Sequence, residues 1–231
     1  MTTEDVRLSE IVAAIRDGLF GGKYGSYNIL NLAKFVAGFD SVQYYLDHMS
    51  ICPPFESDLD LLKSAIDWAS IDGLTLEFGV ASGRTINHLA SLIPESQIFG
   101  FDWFNGLPET WRSDRPKGFF AGNVPSVRSN VSLVNGLFEE TLVGFVAGHS
   151  EPIRLLHVDC DLYSSTVTIF NHLAPRIVPG TIIVFDEYFN YPGWRLHEYK
   201  AFQEYVARAD RRYEYLGFVP DYQQVCVKIT A

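Results

Sequence analysis

The chain has 231 residues, 47% hydrophobic and 20% charged, which gives one large domain enough apolar material for a core and excludes a disordered chain. Eighteen basic against 28 acidic side chains leave a net charge of −10; the densest basic run, Arg208 to Arg212, contains Asp210, so neither nucleic acid nor an anionic membrane is expected as a partner. Three widely spaced cysteines without a CxxC pair, Cys52, Cys160 and Cys226, read as buried thiols, and charges at Glu4, Asp5 and Arg7 where a signal peptide needs an apolar core point to a soluble cytoplasmic protein.

Residues 1–73 read as a helical amino-terminal extension or lid. Within it Leu59, Leu62, Ala65, Ile66 and Ala69 are spaced to lay one apolar face on a neighbouring layer. Gly18 to Gly25 breaks any regular element, as a mobile lid or an ordinary connecting loop would. From Leu74 to Ala231 short apolar β-type runs alternate with amphipathic segments, the pattern of a parallel sheet covered on both faces. Strands are expected at 74–78, 97–101, 131–134, 153–158, 181–185, 213–219 and 224–229. Helices fit between them at 84–93, 138–147, 164–177 and 195–209. Only Pro220 to Gln223 separates the last two strands, too short for a helical crossover, so they form an antiparallel hairpin. The fold class is α/β: a Rossmann-like three-layer sandwich around a mostly parallel seven-stranded sheet with one antiparallel strand.

The chemistry begins where the first strand ends. Thr75 to Phe78 runs into Gly79-Val80-Ala81-Ser82-Gly83 and then a helix, the place where an α/β fold receives a nucleotide-like ligand. Small residues let the backbone approach that ligand, and the helix amino terminus offers free N–H groups. Neither GxGxxG nor GxxxxGK[ST] fits, because Arg84 stands where each needs its last glycine. Glu77, at the strand end and expected to face the pocket, suits an ammonium group, and Asp102 at the end of the next strand suits ribose hydroxyls. Together they describe an adenosine site without phosphates, which S-adenosylmethionine fits.

Four segments resemble the macrocin O-methyltransferase-like group of class I S-adenosylmethionine-dependent methyltransferases. They are Glu77-Phe-Gly-Val-Ala-Ser-Gly83, Phe101-Asp-Trp-Phe-Asn-Gly-Leu-Pro108, Leu156-His-Val-Asp-Cys-Asp-Leu-Tyr-Ser-Ser-Thr166 and Phe185-Asp-Glu-Tyr188. The resemblance implies strand order 3-2-1-4-5-7-6 and methylation of sugar hydroxyls on secondary metabolites, often with magnesium. It also implies a cofactor site formed by Glu77, Gly79, Ala81, Ser82, Asp102, Trp103, Gly136 and Phe138. The helical amino-terminal arm could lie over a neighbouring subunit in a homodimer or higher homo-oligomer.

Asp159, Asp161, Asp186 and Glu187 gather at strand ends on one edge of the same pocket. With strand alternation, Asp159 and Asp161 face one way and Cys160 the other. Such a cluster repels itself unless protons or a cation intervene, and Mg²⁺ takes oxygen ligands. By analogy with metal-dependent methyltransferases Asp159, Asp186 and Glu187 are expected as ligands and Asp161 as the general base. The group often carries two aspartates where this chain has Asp186-Glu187, which loosens the metal expectation. His157 reads as a satisfied core residue or a catalytic one, and Tyr188, Trp194 and Arg195 as acceptor-pocket lining or, for Trp194, core. Ser164 to Thr166 read as a helix cap. The long segment from Trp103 to Asn130, with Trp111, Phe119 and Phe120, reads as substrate-facing. Alternatives are a metal-independent N- or C-methyltransferase, a nucleoside-binding protein without catalysis and, least, an NAD-dependent oxidoreductase.

Overall fold

Alternation along the apolar runs organises the molecule. In β4 (Ile153–Val158) and β5 (Ile182–Phe185), Leu156, Val158, Ile183 and Phe185 enter one hydrophobic cluster while Leu155, Ile182 and Val184 enter another on the opposite face. Burial on both faces is what the continuous apolar runs require. The computed structural model describes residues 3–21 and 26–231. Its seven strands are ordered β3-β2-β1-β4-β5-β7-β6, with β1 (Leu74–Phe78), β2 (Ile98–Asp102), β3 (Val131–Asn135), β6 (Tyr213–Phe218) and β7 (Val225–Ile229) completing the set. All pairings are parallel except those of β7, which runs antiparallel to both β5 and β6. The hairpin expected from the four-residue connection is therefore present.

The sheet is sandwiched between helices. On one side lie α3 (Asp58–Trp68) and α4 (Arg84–Leu92), whose Leu61, Leu62, Ala65, Ile86 and Leu89 share a core with Val80, Ile98 and Leu155. On the other lie α5 (Phe138–Gly148), α6 (Tyr163–Leu173) and α7 (Glu198–Arg208), packed through Phe145, Phe170, Phe202 and Tyr205. A buried Leu or Phe contributes about 1.5–3 kcal/mol through area removed from water. Truncating Leu76 in the central strand, fully buried, would cost about 2–5 kcal/mol.

Two further helices precede this body, α1 (Thr3–Phe20) and α2 (Ile29–His48). Asn28 caps α2, its side chain accepting from the amides of Leu30 and Asn31 at 3.1 and 3.2 Å. Tyr44 on α2 packs edge-on against Trp194 and Tyr199, fixing the helix to the body. The glycine-dense break reaches from Gly18, in α1, and Gly21, which bridges Tyr27, into residues 22–25, which lie outside the described residues. No described helix is long and apolar enough to cross a membrane. Cys160 and Cys226 are buried free thiols as expected; Cys52 is only half-buried, its Sγ 3.3 Å from the Tyr215 carbonyl.

Candidate active site

A parallel sheet delivers its turns to one edge, and here the carboxyl ends of β1, β2, β4 and β5 surround a cleft of about 360 Å³, a size suited to a small-molecule ligand. Gly79, Ala81, Ser82, Asp102, Trp103, Gly136 and Phe138 all line it, and so do Asp159, Asp161, Asp186 and Glu187. Gly79 is required sterically. Its φ is +93°, and a Cβ there would lie 1.6 Å from the Asp159 carbonyl oxygen. This contact presses the β1 turn against the β4 turn and so joins the two halves of the cleft.

Asp102 holds the glycine turn in place. Its Oδ2 accepts from the amides of Val80 and Ala81 at 2.9 and 2.8 Å, and its Oδ1 from Phe104 at 2.7 Å. Glu77 departs from expectation. It is fully buried and absent from the lining, with Oε1 accepting from Thr85 at 3.0 Å and Oε2 2.9 Å from His157 Nδ1. The cause is strand alternation. Leu76 and Phe78 share the α5–α6 core, which turns Glu77 toward α4 and directly beside His157 in the β1–β4 register.

The acidic half is built on turns rather than on strand. Alternation carries on for two residues past Val158: Asp159 lies with His157, while Cys160 turns away from it as expected, its Sγ 3.4 Å from Thr166 Oγ1 within the core of Leu156 and Val158. Asp161 has φ +63°, a left-handed conformation that aspartate tolerates but that costs free energy. One donor atom from each of His157, Asp159 and Asp186 lies within 4.8 Å of the others. With Nδ1 given to Glu77, Nε2 is the nitrogen of His157 left for a ligand. Glu187 does not join this group; its Oε2 is buried without a hydrogen-bond partner.

Repulsion and burial leave their mark on this cluster. Burial first, then the neighbouring acids, with Asp186 foremost, push Asp159 and Glu187 well above the ordinary carboxylate range. Burial and Asp186 raise Asp161 to about 7, against the downward pull of Arg112 and Arg115. Burial works against a charged His157, yet the Glu77 hydrogen bond and charge raise its pKa on balance. An orphaned buried carboxylate oxygen and two close carboxylates beside an imidazole form a donor set that suits a divalent cation.

Two residues that sequence reasoning did not single out complete the site. Glu198, at the start of α7 and fully buried, accepts from the amide of Cys160 at 3.3 Å and from that of Glu187 at 3.1 Å. One carboxyl thus ties the β4 turn to the β5 turn. Gln224 donates to Asp186 Oδ1 at 2.8 Å. Glu198 carried no distinguishing signal, because an acid in the first turn of a helix is ordinary.

The segment from Trp103 to Asn130 contains no helix or strand beyond an isolated bridge between Arg112 and Arg115. Phe120 reaches the cleft, while Trp111 packs edge-on to Tyr191 and His197 under the guanidinium of Arg112, 3.9 Å from its ring centre. Tyr188 and Trp194 are buried and Arg195 pairs with Asp40 at 2.9 Å; none of the three lines the cleft, and they anchor α2 instead. Ser164 to Thr166 provide no side-chain cap for α6: Ser164 donates to Glu109 at 2.6 Å, Thr166 donates to the Leu162 carbonyl, and Ser165 lines the cleft.

A seven-stranded sheet in this order, with a glycine turn after β1 and an acid after β2, is the fold of class I methyltransferases. Residues 76–188 match the family described as a methyltransferase domain. A curated relative from Streptomyces olivaceus, 8-demethyl-8-(2,3-dimethoxy-alpha-L-rhamnosyl)-tetracenomycin-C 4'-O-methyltransferase, is 27% identical over 158 residues, a match that spans 56% of this chain and 59% of that protein's length. The solved structure of CalS11, a calicheamicin methyltransferase, is similar with a TM-score of 0.61 at 24% identity, covering 74% of this chain and 78% of that one. The O-methyltransferase TomG from Streptomyces achromogenes, solved in complex with S-adenosylmethionine, matches over 100% of both chains with a TM-score of 0.50 at 13% identity.

Proposed function

We propose that the protein is an S-adenosylmethionine-dependent O-methyltransferase acting on a hydroxyl of a small molecule, a sugar carried by a natural product, with the help of a divalent cation in the cytoplasm. The observation that carries this reading is the joining of two chemistries in one cleft. The glycine turn and Asp102 stand on one side, and Asp159, Asp161, Asp186 and Glu187 on the other. The sugar acceptor rests on the curated relative, whose name specifies a rhamnosyl group.

In this reading Gly79, Ala81, Ser82, Asp102, Trp103, Gly136 and Phe138 hold the cofactor, and Glu77 supports that wall from behind. Asp159, Asp186 and His157 hold the cation, in place of the all-carboxylate set expected from the sequence. A cation bound there would supply acidification of the acceptor hydroxyl. Asp161, which burial and Asp186 raise to about 7 in the cation-free site and which a cation on Asp159 and Asp186 would bring down from there, is placed to take that proton. Arg112 and Arg115 keep enough of it ionised to act. Orientation of the acceptor oxygen toward the methyl group supplies much of the remaining acceleration.

Calorimetric titration with S-adenosylmethionine, followed by methyl transfer to a panel of deoxysugar-bearing acceptors with Mg²⁺, Mn²⁺ or a chelator, tests the proposal. Cofactor binding and cation-dependent transfer to a sugar oxygen are expected. No binding of S-adenosylmethionine refutes the whole reading, and an undiminished rate in chelator refutes the cation's part.

A further inference from the structure

Helix α2 presents side chains for packing on two opposite sides. Ala37, Ser41 and Tyr44 turn into the body and are buried, whereas Phe35, Phe39, Val42 and Leu46 form an outward stripe in which each residue is 54–69% exposed. At 100° per residue the two faces lie about 160° apart. A helix apolar on both sides is written to lie between two partners; the body supplies one, and on the outward side Phe20 of α1 packs against Phe35 alone of the stripe, ring centres 4.9 Å apart, among the described residues.

The outward face is large and uncharged. The one charged residue between Phe35 and Leu46 is Asp40, which is turned aside to Arg195. Together with Ile11, Val12 and Ile15 of α1, the stripe makes seven large hydrophobic side chains that stand half or more exposed among the described residues. At about 100 Å² each they present roughly 700 Å², close to the ~800 Å² per partner of a standard interface and above the ~300–600 Å² of the largest patch on a typical monomer. A lipid surface would call for bordering Lys and Arg, which a chain of net charge −10 with a lone Lys34 on α2 does not offer.

The spacing of the stripe identifies the partner. Phe35, Phe39, Val42 and Leu46 follow at intervals of four, three and four residues, a pattern unchanged when the helix is turned end for end. A twofold axis between residues 40 and 41 then sets Phe35 against Leu46 of a second copy and Phe39 against Val42. Self-complementarity of this kind is the condition for a closed twofold dimer. We propose that the outward face of α2 is the interface of a homodimer, two α2 helices packing antiparallel in this register with α1 alongside.

The test uses the full chain in analytical ultracentrifugation at micromolar concentration. The wild type is expected to sediment as a dimer, and Phe39→Asp and Val42→Lys each as a monomer of half the mass with unchanged far-ultraviolet circular dichroism. Mixing the two variants is expected to restore the dimer, because the carboxylate introduced in one copy then faces the ammonium introduced in the other, while the second contact of Val42 with Phe39 stays native. A monomeric wild type, or variants that remain dimers, would overturn the interface, and a mixture that stays monomeric would overturn the antiparallel register. Hydrogen exchange on the wild type is a check that needs no substitution: amides of residues 35–46 lose protection on dilution if the dimer forms there, and concentration-independent exchange contradicts it.

Discussion

Replacing Glu198 by alanine removes a side chain that spans both acidic turns. The structure sets the scale. Two buried amides, those of Cys160 and Glu187, lose their acceptor, at about 1–3 kcal/mol for each buried donor left unpaired. Against this, a carboxyl that burial and the neighbouring Asp186 and Asp161 push well above its usual range is removed from a crowded negative site, which returns part of the loss. The net expectation is about 2–3 kcal/mol, or a melting temperature lower by roughly 4–12 °C in a chain of this size. Activity is expected to suffer more than folding does, since displacement of Asp161 and Asp186 by an ångström can cost on the order of 10²-fold. Glu198→Gln, which keeps one acceptor oxygen, should recover most of the stability and part of kcat. The glycine turn and Asp102 do not touch Glu198, so the Kd for S-adenosylmethionine is expected to be unchanged in both variants. Thermal denaturation, calorimetry and steady-state methyl transfer together decide the matter. If Glu198→Ala kept wild-type kcat and melting temperature, or lost cofactor affinity in step with kcat, the positioning role would be refuted.

Asp161→Asn is expected to bind S-adenosylmethionine normally and to lose about 10²-fold or more in kcat. In the wild type, kcat/KM should rise with pH as Asp161 ionises, at or below the value of about 7 that burial and Asp186 give it in the cation-free site, since a cation on Asp159 and Asp186 favours the ionised form; a profile flat from pH 5 to 8.5 argues against this base. The raised carboxyls also bear on stability in chelator. Their folded pKa values exceed the unfolded ones, so the stability they contribute is complete below about pH 4 and is lost as pH rises through the folded values. Cation-free protein should therefore lose stability from this cluster between pH 5 and 8, and Mn²⁺ or Mg²⁺ at pH 8 should restore it; calorimetric scans that show no cation effect at pH 8 contradict this. Gly79→Ala, which sets a Cβ against the Asp159 carbonyl at positive φ, should abolish soluble folded protein or cofactor binding, and a normally folded, binding variant would show that the two turns can separate.

The sheet was legible because apolar runs, turn residues and connection lengths are local. The short connection from Val219 to Gln224 excludes a crossover whatever surrounds it, and every expected strand falls within a residue or two of the observed one. The glycine-turn wall of the cleft was legible for the same reason, since Gly79 to Ser82 and Asp102 occupy fixed places at strand ends. Side-chain direction was legible for two residues beyond the strand end and no further. Alternation counted past Val158 sends Cys160 toward Thr166 and the core, where it lies, but the turn at Asp161, φ +63°, ends the count. Long-range partners were equally hidden: Glu198 is held by amides 38 and 11 residues away, and Trp194 is claimed by Tyr44, far earlier in the chain, rather than by an acceptor.

Glu77 is where sequence and structure diverge most usefully, because each assigns it to a different ligand. The sequence places an acid at the end of β1 against the ammonium group of the cofactor. The structure occupies both of its oxygens, with Thr85 and with His157 Nδ1. A carboxylate on one imidazole nitrogen fixes the tautomer and raises the basicity of the other nitrogen, and loss of such a partner costs about 10–100-fold in metal affinity. Glu77→Gln keeps the shape and removes the charge. The structure therefore requires an unchanged Kd for S-adenosylmethionine together with a roughly 10–100-fold weaker response to Mn²⁺, read as the cation concentration giving half-maximal activity and, independently, as the shift in melting temperature with cation. Some loss of stability accompanies it, since a buried His157 that keeps its charge would lack a counter-ion. If cofactor affinity fell instead while the cation response held, Glu77 would have to turn into the cleft when the cofactor binds, and the donor set of Asp159, Asp186 and His157 would lose its support.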